Sequence, residues 1–161
     1  MQAEGHISKY AIAGAVGATF YLEPSATEDI DILVVLPLAP GSSLLSLTPV
    51  YDFLKGLGLS VQGERIMVGD WLVQFLPAHG DLDREALDEA VVTEVEGVIT
   101  YVPSAEHLIA LALRTGRAKD YARVVQFVEQ NAFDTNELNR ILMRHGLVDK
   151  WERFERRYLG E

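Results

Sequence analysis

The chain has no cysteine, which excludes structural disulfides, thiolate nucleophiles and cysteine-ligated zinc. Positive charge is scarce: 14 Lys and Arg stand against 24 Asp and Glu, a net charge of −10. A surface of that sign repels polyanions, so broad, non-specific nucleic-acid binding is excluded, while a local basic patch is not. Low-complexity tracts and repeats of solenoid period are missing. No apolar run is long enough to span a bilayer. The best candidate, "YAIAGAVGATFYL" at 10–22, follows Lys9 but also Glu4 and lacks a small-x-small cleavage site, so it reads as core and no membrane association is expected. A cysteine-free chain of this kind fits a cytoplasmic location.

What is present is core material. An apolar fraction of 48% over 161 residues supports one compact domain, with a helical appendage at most. "KYAIAG" (9–14) reads as a buried strand ending at glycine, and "AVGATFYLEP" as a helix or helical turn stopped by Pro24. "DIDILVVLP" (29–37) is a second strand, and the serines of "APGSS" are placed to cap the next helix. Leu44, Leu47, Val50, Tyr51, Leu54 and Leu57 recur at helical spacing. "LGLSVQGERIMVGDWLVQFLPA" reads as two strands turning near Gly69-Asp70, "DREALDEAVV" as a helix, and "EGVITYVP" (96–103) as a further strand. After Pro103 the pattern becomes helical: "SAEHLIALALRTG" with a Ser104 cap and a Gly116 stop, then "RAKDYARVVQFVEQN", "DTNELNRILMRHG" and "VDKWERFERRYLG". Strands first and helices last predict an α+β fold, α/β-like in its core, without a flexible linker at the join.

The stretch "SATEDIDILVVLP" (25–37) carries the chemistry. Alternation along a strand points Asp29 and Asp31 to one face while Ile30 and Ile32 point to the other. Two carboxylates so close repel one another and lose hydration as the strand enters the core. A divalent cation, Mg²⁺ or Mn²⁺, relieves both costs by bridging the pair to phosphate oxygens. The preceding "AGAVGA" adds a glycine between strand and helix, where Gly14 and the amide of Ala15 could meet a phosphate. Gly17 is better placed to permit close packing. An Asp-x-Asp pair alone is most often a solvated strand edge. The order strand, glycine turn, helix, Asp-x-Asp is more specific.

That combination resembles the nucleotidyltransferase superfamily, in particular the small bacterial AbiEii-type nucleotidyltransferases. "SATEDID" supplies Thr27, Asp29 and Asp31, and "EHLIALALRTGRAKD" (106–120) resembles a helix of that group, bringing Arg117, Lys119 and Asp120. The likeness spans roughly residues 9 to 125. It implies a mixed β-sheet flanked by helices, with residues 1–103 as the α/β core and 104–161 packed on it as one unit. It implies transfer of a nucleoside monophosphate from an NTP to a hydroxyl-bearing acceptor, which could be a small molecule, a protein or an RNA end. Asp29 and Asp31 would hold metal, with Gly14, Ala15, Thr27, Arg117 and Lys119 about the nucleotide. The chain departs from the pattern at Ala15 in the turn, at Ser25 and Ala112 where basic residues are expected, and at Gln74, which stands where a third carboxylate is expected. Glutamine hydrogen-bonds but carries no charge and is no general base, so a second metal would bind poorly.

Three functions therefore stand open: a metal-dependent enzyme, a catalytically impaired relative acting as a nucleotide-binding or toxin–antitoxin-type regulatory partner, or an acidic structural module with no ligand. A protein partner or a second copy of the chain stands open as well. Among the other residues, His6, His79, His107 and His145 show no ligand spacing and read as solvated or capping, with His79 and Asp81 candidates for the site mouth. Arg114, Arg117, Lys119 and Arg123 read either as partners of nearby acids or as a phosphate clamp. Trp71, Trp151, Phe154 and Tyr158 read as core or helix packing, the last three alternatively as a contact surface, and Arg153, Arg156 and Arg157 as surface.

Overall fold

In the computed structural model, which describes residues 1–24, 26–38 and 45–160, strand β1 (Lys9–Ala13) runs directly into the short helix α1 (Gly14–Ala18). The next strand, β2 (Asp29–Val35), returns antiparallel to β1, pairing Ala13 with Asp31. Helix α2 (Thr48–Gly56), with a proline in its first turn, leads to a meander of β3 (Ser60–Gln62), β4 (Arg65–Val68) and β5 (Trp71–Pro77). The five strands form one mixed sheet in the order β1-β2-β5-β4-β3, with β2 and β5 parallel and the other pairs antiparallel. Helix α3 (Asp81–Asp88) precedes a separate hairpin of β6 (Val91–Val95) and β7 (Val98–Val102). Helices α4 (Ala105–Thr115), α5 (Ala118–Glu129), α6 (Thr135–Arg144) and α7 (Val148–Phe154) complete the described chain, the last running into a π-helical turn, Glu155–Leu159.

The pleat sorts the sheet's side chains into two cores. Val34, Val73 and Phe75 pack with Val50 and Leu54 of α2 on one face. Leu33 and Ala11 pack with Ile109 and Leu113 of α4, Val124 and Phe127 of α5, and Ile141 of α6 on the other. Each fully buried aliphatic side chain stabilises this arrangement by about 1.5–3 kcal/mol. Asp29, Asp31 and Leu33 share a face, so the acidic head of β2 looks toward α4 and α5.

The helix boundaries obey local chemistry. Ser104 caps α4 by accepting from the His107 amide at 3.2 Å, and Gly116 ends it in the left-handed conformation, φ +71°. Asp134 caps α6 through the Glu137 amide. Among the described residues no helix is long and apolar enough to cross a membrane.

Several expectations are corrected. The segment read as two strands folds as three, because Gly63-Glu64 makes a second turn that the apolar alternation on either side hides. Helix α3 stops at Asp88, and Val91-Val92 enter a strand, as β-branched neighbours favour. The helix after Gly14 closes at Ala18 and gives way to turns well before Pro24. Trp71 is half exposed at the start of β5 rather than packed in the core. The serine-rich loop, Leu44 and Ser25 lie outside the described residues.

Candidate active site

Two facts of β2 build the site. Asp31 sits against the turn between β1 and α1: Gly14 has φ +61°, and a Cβ placed there would run into the Asp31 carboxylate, with Asp31 Cβ and Cγ each 3.0 Å away. Glycine at 14 is thus required by its backbone conformation and by Asp31 together. Gly17 is equally constrained, since a Cβ there would meet the Ile12 carbonyl oxygen at 2.5 Å. Asp29, two residues before Asp31, is held at its backbone by Thr27, whose hydroxyl donates to the Asp29 carbonyl at 3.2 Å. Its carboxylate is split in character. Oδ2 pairs with the Arg65 guanidinium of β4 at 3.2 Å, while Oδ1 is buried and, among the described residues, has no hydrogen-bond partner.

Gln74 stands on β5 in register with both Asp31 and Arg65. It shares the aspartates' face but lines neither of the cavities there. The position beside the Asp-x-Asp pair is therefore neutral, and the nearest charge across the sheet is a cation.

Helix α5 supplies the positive side. Its first turn is organised by Asp120, only 2% exposed, which accepts from the Arg117 amide at 3.2 Å and from Arg117 Nε at 2.8 Å, with Arg123 at 3.7 Å. Arg123 is itself largely buried, and desolvation lowers its pKa against the pull of Asp120 and Asp31. Lys119 forms no ion pair among the described residues. Burial raises the Asp31 pKa, with the fields of Lys119, Arg117 and Arg123 working against the rise and Asp29 adding to it. These charges thus sense each other across one space.

That space is two adjoining cavities. The smaller, about 250 Å³, is lined by Ala15, Thr27, Asp29, Asp31, Lys119 and Arg123, with Gln126 at its rim. The larger, about 420 Å³, has an aliphatic floor of Leu33, Leu76, Leu108 and Leu111 and a charged rim that includes Arg114, Arg117, Asp83 and Asp120. Asp31 and Arg123 line both. Of the residues singled out by sequence, the smaller cavity gathers Ala15, Thr27, Asp29, Asp31 and Lys119, while Gly14, Arg117 and Asp120 border the larger. His79 lines the larger cavity as well; Asp81 does not. Arg114 departs from the clamp, pairing with Asp83 of α3 at 2.6 Å.

Sequence reasoning passed over Arg65, Asp83 and Gln126. For Arg65 a signal existed: it is the single Lys or Arg between Lys55 and Arg84, but without the Gly63 turn it had no strand position. The histidines also differ from expectation. His107 is buried at 1% exposure and bonds to Glu85 of α3 at 3.2 Å, and His145 bonds to the same carboxylate at 2.9 Å. Glu85, Glu89 and His107 place donor atoms within 4.8 Å of one another. Arg144 also donates to Glu85, so this group is satisfied internally as a junction of α3, α4 and α6.

A divalent cation fits the head of β2. The orphaned Asp29 Oδ1 and the desolvated Asp31 carboxylate are oxygen donors of the type Mg²⁺ and Mn²⁺ take. With Gln74 neutral and Arg65 on the other Asp29 oxygen, the charge present suits one such ion rather than two.

No family model and no curated protein matches the chain. Among solved structures it is similar to the solution structure of the antibiotic-resistance factor ANT(2'')-Ia, with a TM-score of 0.53 and 16% identity, covering 99% of this chain and 92% of that one. A crystal structure of ANT(2'')-Ia in complex with adenylyl-2''-tobramycin superposes with a TM-score of 0.46 and 19% identity, covering 98% and 92%. The mixed five-stranded sheet, with its helical C-terminal part, is the nucleotidyltransferase fold.

Proposed function

We propose that the protein transfers a nucleoside monophosphate from an NTP to a hydroxyl-bearing acceptor, and that within the nucleotidyltransferase fold it stands beside the AbiEii-type proteins. The observation that carries the reading is the buried Oδ1 of Asp29, without a partner among the described residues, in a residue that lines one cavity with Asp31, Lys119 and Arg123. An unsatisfied buried carboxylate oxygen costs free energy unless something binds it. Asp29 Oδ1 and Asp31 would hold Mg²⁺ or Mn²⁺, which when bound would neutralise charge on the phosphates.

The chain's own residues account for the remaining steps. Lys119 and Arg123 attract the triphosphate into the smaller cavity, and Thr27 fixes the strand entry that aims Asp29. The larger cavity is left for the acceptor, its aliphatic floor favouring a partly apolar body. Asp31 borders both spaces, so it can orient an acceptor hydroxyl toward the α-phosphorus. The hydroxyl oxygen bonds to phosphorus, the bond to pyrophosphate breaks, and the hydroxyl proton passes to the Asp31 oxygen that the metal leaves free.

A second reading rests on Gln74. A neutral residue in register beside Asp31 is consistent with a protein that binds NTP but turns it over slowly, acting as a regulatory or toxin–antitoxin-type partner. One experiment separates the two. Purified protein is incubated with each α-labelled NTP, Mg²⁺ or Mn²⁺ and a cell extract supplying acceptors. The enzyme reading expects label in an acceptor from wild type and none from Asp29→Asn, a variant that removes charge but little volume. Equal labelling by that variant defeats the proposed role of Asp29. Binding of NTP without transfer favours the regulatory reading.

A further inference from the structure

A third cavity lies away from the aspartates, where α5 meets α7 and the π-helical turn. It measures about 180 Å³, and its lining is three aromatic residues, Tyr121, Phe154 and Tyr158, and three cations, Lys150, Arg153 and Arg157. Among the described residues no acid contributes to it. In a chain of net charge −10 that composition is unexpected, and it reflects a wider asymmetry: ten of the 14 Lys and Arg fall within residues 104–161.

The rings are ordered. Phe154 is 2% exposed and forms the floor. Tyr121 stacks on it with centroids 5.9 Å apart and planes at 28°, and Tyr158 lies 5.3 Å from both. Tyr158 keeps 39% of its surface exposed. The Arg157 guanidinium sits 5.2 Å over the Tyr158 ring. Other arginines of the helical part are committed elsewhere: Arg140 to Glu137, Arg144 to Glu85 and Arg156 to Glu152. Among the described residues Arg153 and Arg157 form no ion pair, and Lys150 donates to the Arg114 carbonyl at 2.8 Å. The backbone is unusual at the same place. The Gly160 amide bonds back five residues to the Glu155 carbonyl at 3.1 Å, giving a π turn across Arg157 and Tyr158.

An aromatic floor beside three cations, none of them in an ion pair among the described residues, suits a ligand with both a π-face and negative charge. The volume equals that of about six liquid waters, enough for a ring system rather than a folded surface. We propose that this cavity binds a nucleoside phosphate unit, the base stacked against Tyr121 and Tyr158 and the phosphate held by Lys150, Arg153 and Arg157. The unit is either a free nucleotide or one residue of a single strand. The site is separate from the aspartate cavities and independent of the activity proposed for them.

The test uses the full chain in EDTA, which disables any metal-dependent binding at Asp29 and Asp31. The probes are AMP, UMP, inorganic phosphate and a labelled ten-nucleotide oligoribonucleotide, titrated by calorimetry and fluorescence anisotropy. Stacking on one aromatic side chain changes affinity by roughly tenfold. Tyr158→Leu and the double variant Arg153→Ser/Arg157→Ser are each expected to weaken nucleotide binding about tenfold or more. Tyr158→Phe, which keeps the ring, and Arg140→Ser, a cation of the helical part outside this cavity, are expected to bind as wild type does. Tight binding of AMP or UMP assigns a free nucleotide; salt-sensitive binding of the oligonucleotide alone assigns a strand. The proposal is overturned if no probe binds, if inorganic phosphate binds as well as AMP, or if Tyr158→Leu and the arginine variant retain full affinity.

Discussion

Gly14 and Gly146 provide a controlled pair. Both have positive φ, +61° and +64°, yet a Cβ at 146 would meet nothing within 4 Å, whereas one at 14 runs into Asp31. Replacing either by alanine imposes the left-handed backbone cost, about 1–2 kcal/mol. At Gly14 the Asp31 side chain must also leave its position, and an off-rotamer displacement adds about 0.5–1.5 kcal/mol. The total for Gly14→Ala is then about 1.5–3.5 kcal/mol against about 1–2 for Gly146→Ala. For a domain of this length each kcal/mol lowers Tm by about 2–4 °C, so Gly14→Ala should melt about 3–14 °C below wild type. Urea titration measures both variants on one scale. Since Asp31 is displaced only in the first, nucleotide transfer should fall in Gly14→Ala and persist in Gly146→Ala. Equal destabilisation of the two variants would refute the steric link between the turn and the aspartate.

Other outcomes depend on the charges. Asp120→Asn leaves the largely buried Arg123 with the field of Asp31 alone and weakens the first turn of α5, so it should cost about 1.5–3 kcal/mol in urea unfolding. Asp31 is an acid whose native pKa burial has raised, so the native state holds a proton where the unfolded chain has lost it, and stability declines as pH rises through the native pKa. Asp31→Asn should therefore raise Tm at neutral pH and lose that advantage at acid pH, read by melts across pH. Glu85 behaves oppositely: burial works to raise its pKa, but hydrogen bonds from His145 and His107 and the field of Arg144 outweigh it. Its stabilising contribution is present above the ordinary glutamate range and is lost as pH falls through the lowered native value. Glu85→Gln should lower Tm at neutral pH, and the gap should close in acid.

The sequence was most informative where one residue's chemistry decides a local structure. Ser104 and Gly116 bound α4 as their capping chemistry dictates, and the Asp-x-Asp alternation placed both carboxylates on the face toward α5. It was least informative where partners come from distant strands. Arg65 reaches Asp29 only because β4 and β5 pair, and the β3–β4 turn that makes Arg65 the first residue of β4 is hidden between two apolar runs. The burial of His107 likewise needs Glu85, twenty-two residues before it, and His145, at the end of α6. Spacing along the chain carries no trace of such a cluster. Arg114 illustrates the same limit: helical spacing puts it with Arg117 and Lys119, while packing gives it to Asp83.

If Asp29 and Asp31 jointly bind a single divalent cation together with a nucleotide, the bound metal can be counted directly. Mn²⁺ is titrated into the full chain with saturating NTP, and electron paramagnetic resonance reports the free ion. One Mn²⁺ per chain is expected, held more tightly than by the nucleotide alone, with no gain over the nucleotide alone in Asp29→Asn/Asp31→Asn, whose cooperative melting shows that its fold is intact. Equal Mn²⁺ affinity in wild type and the double variant would contradict the shared metal site.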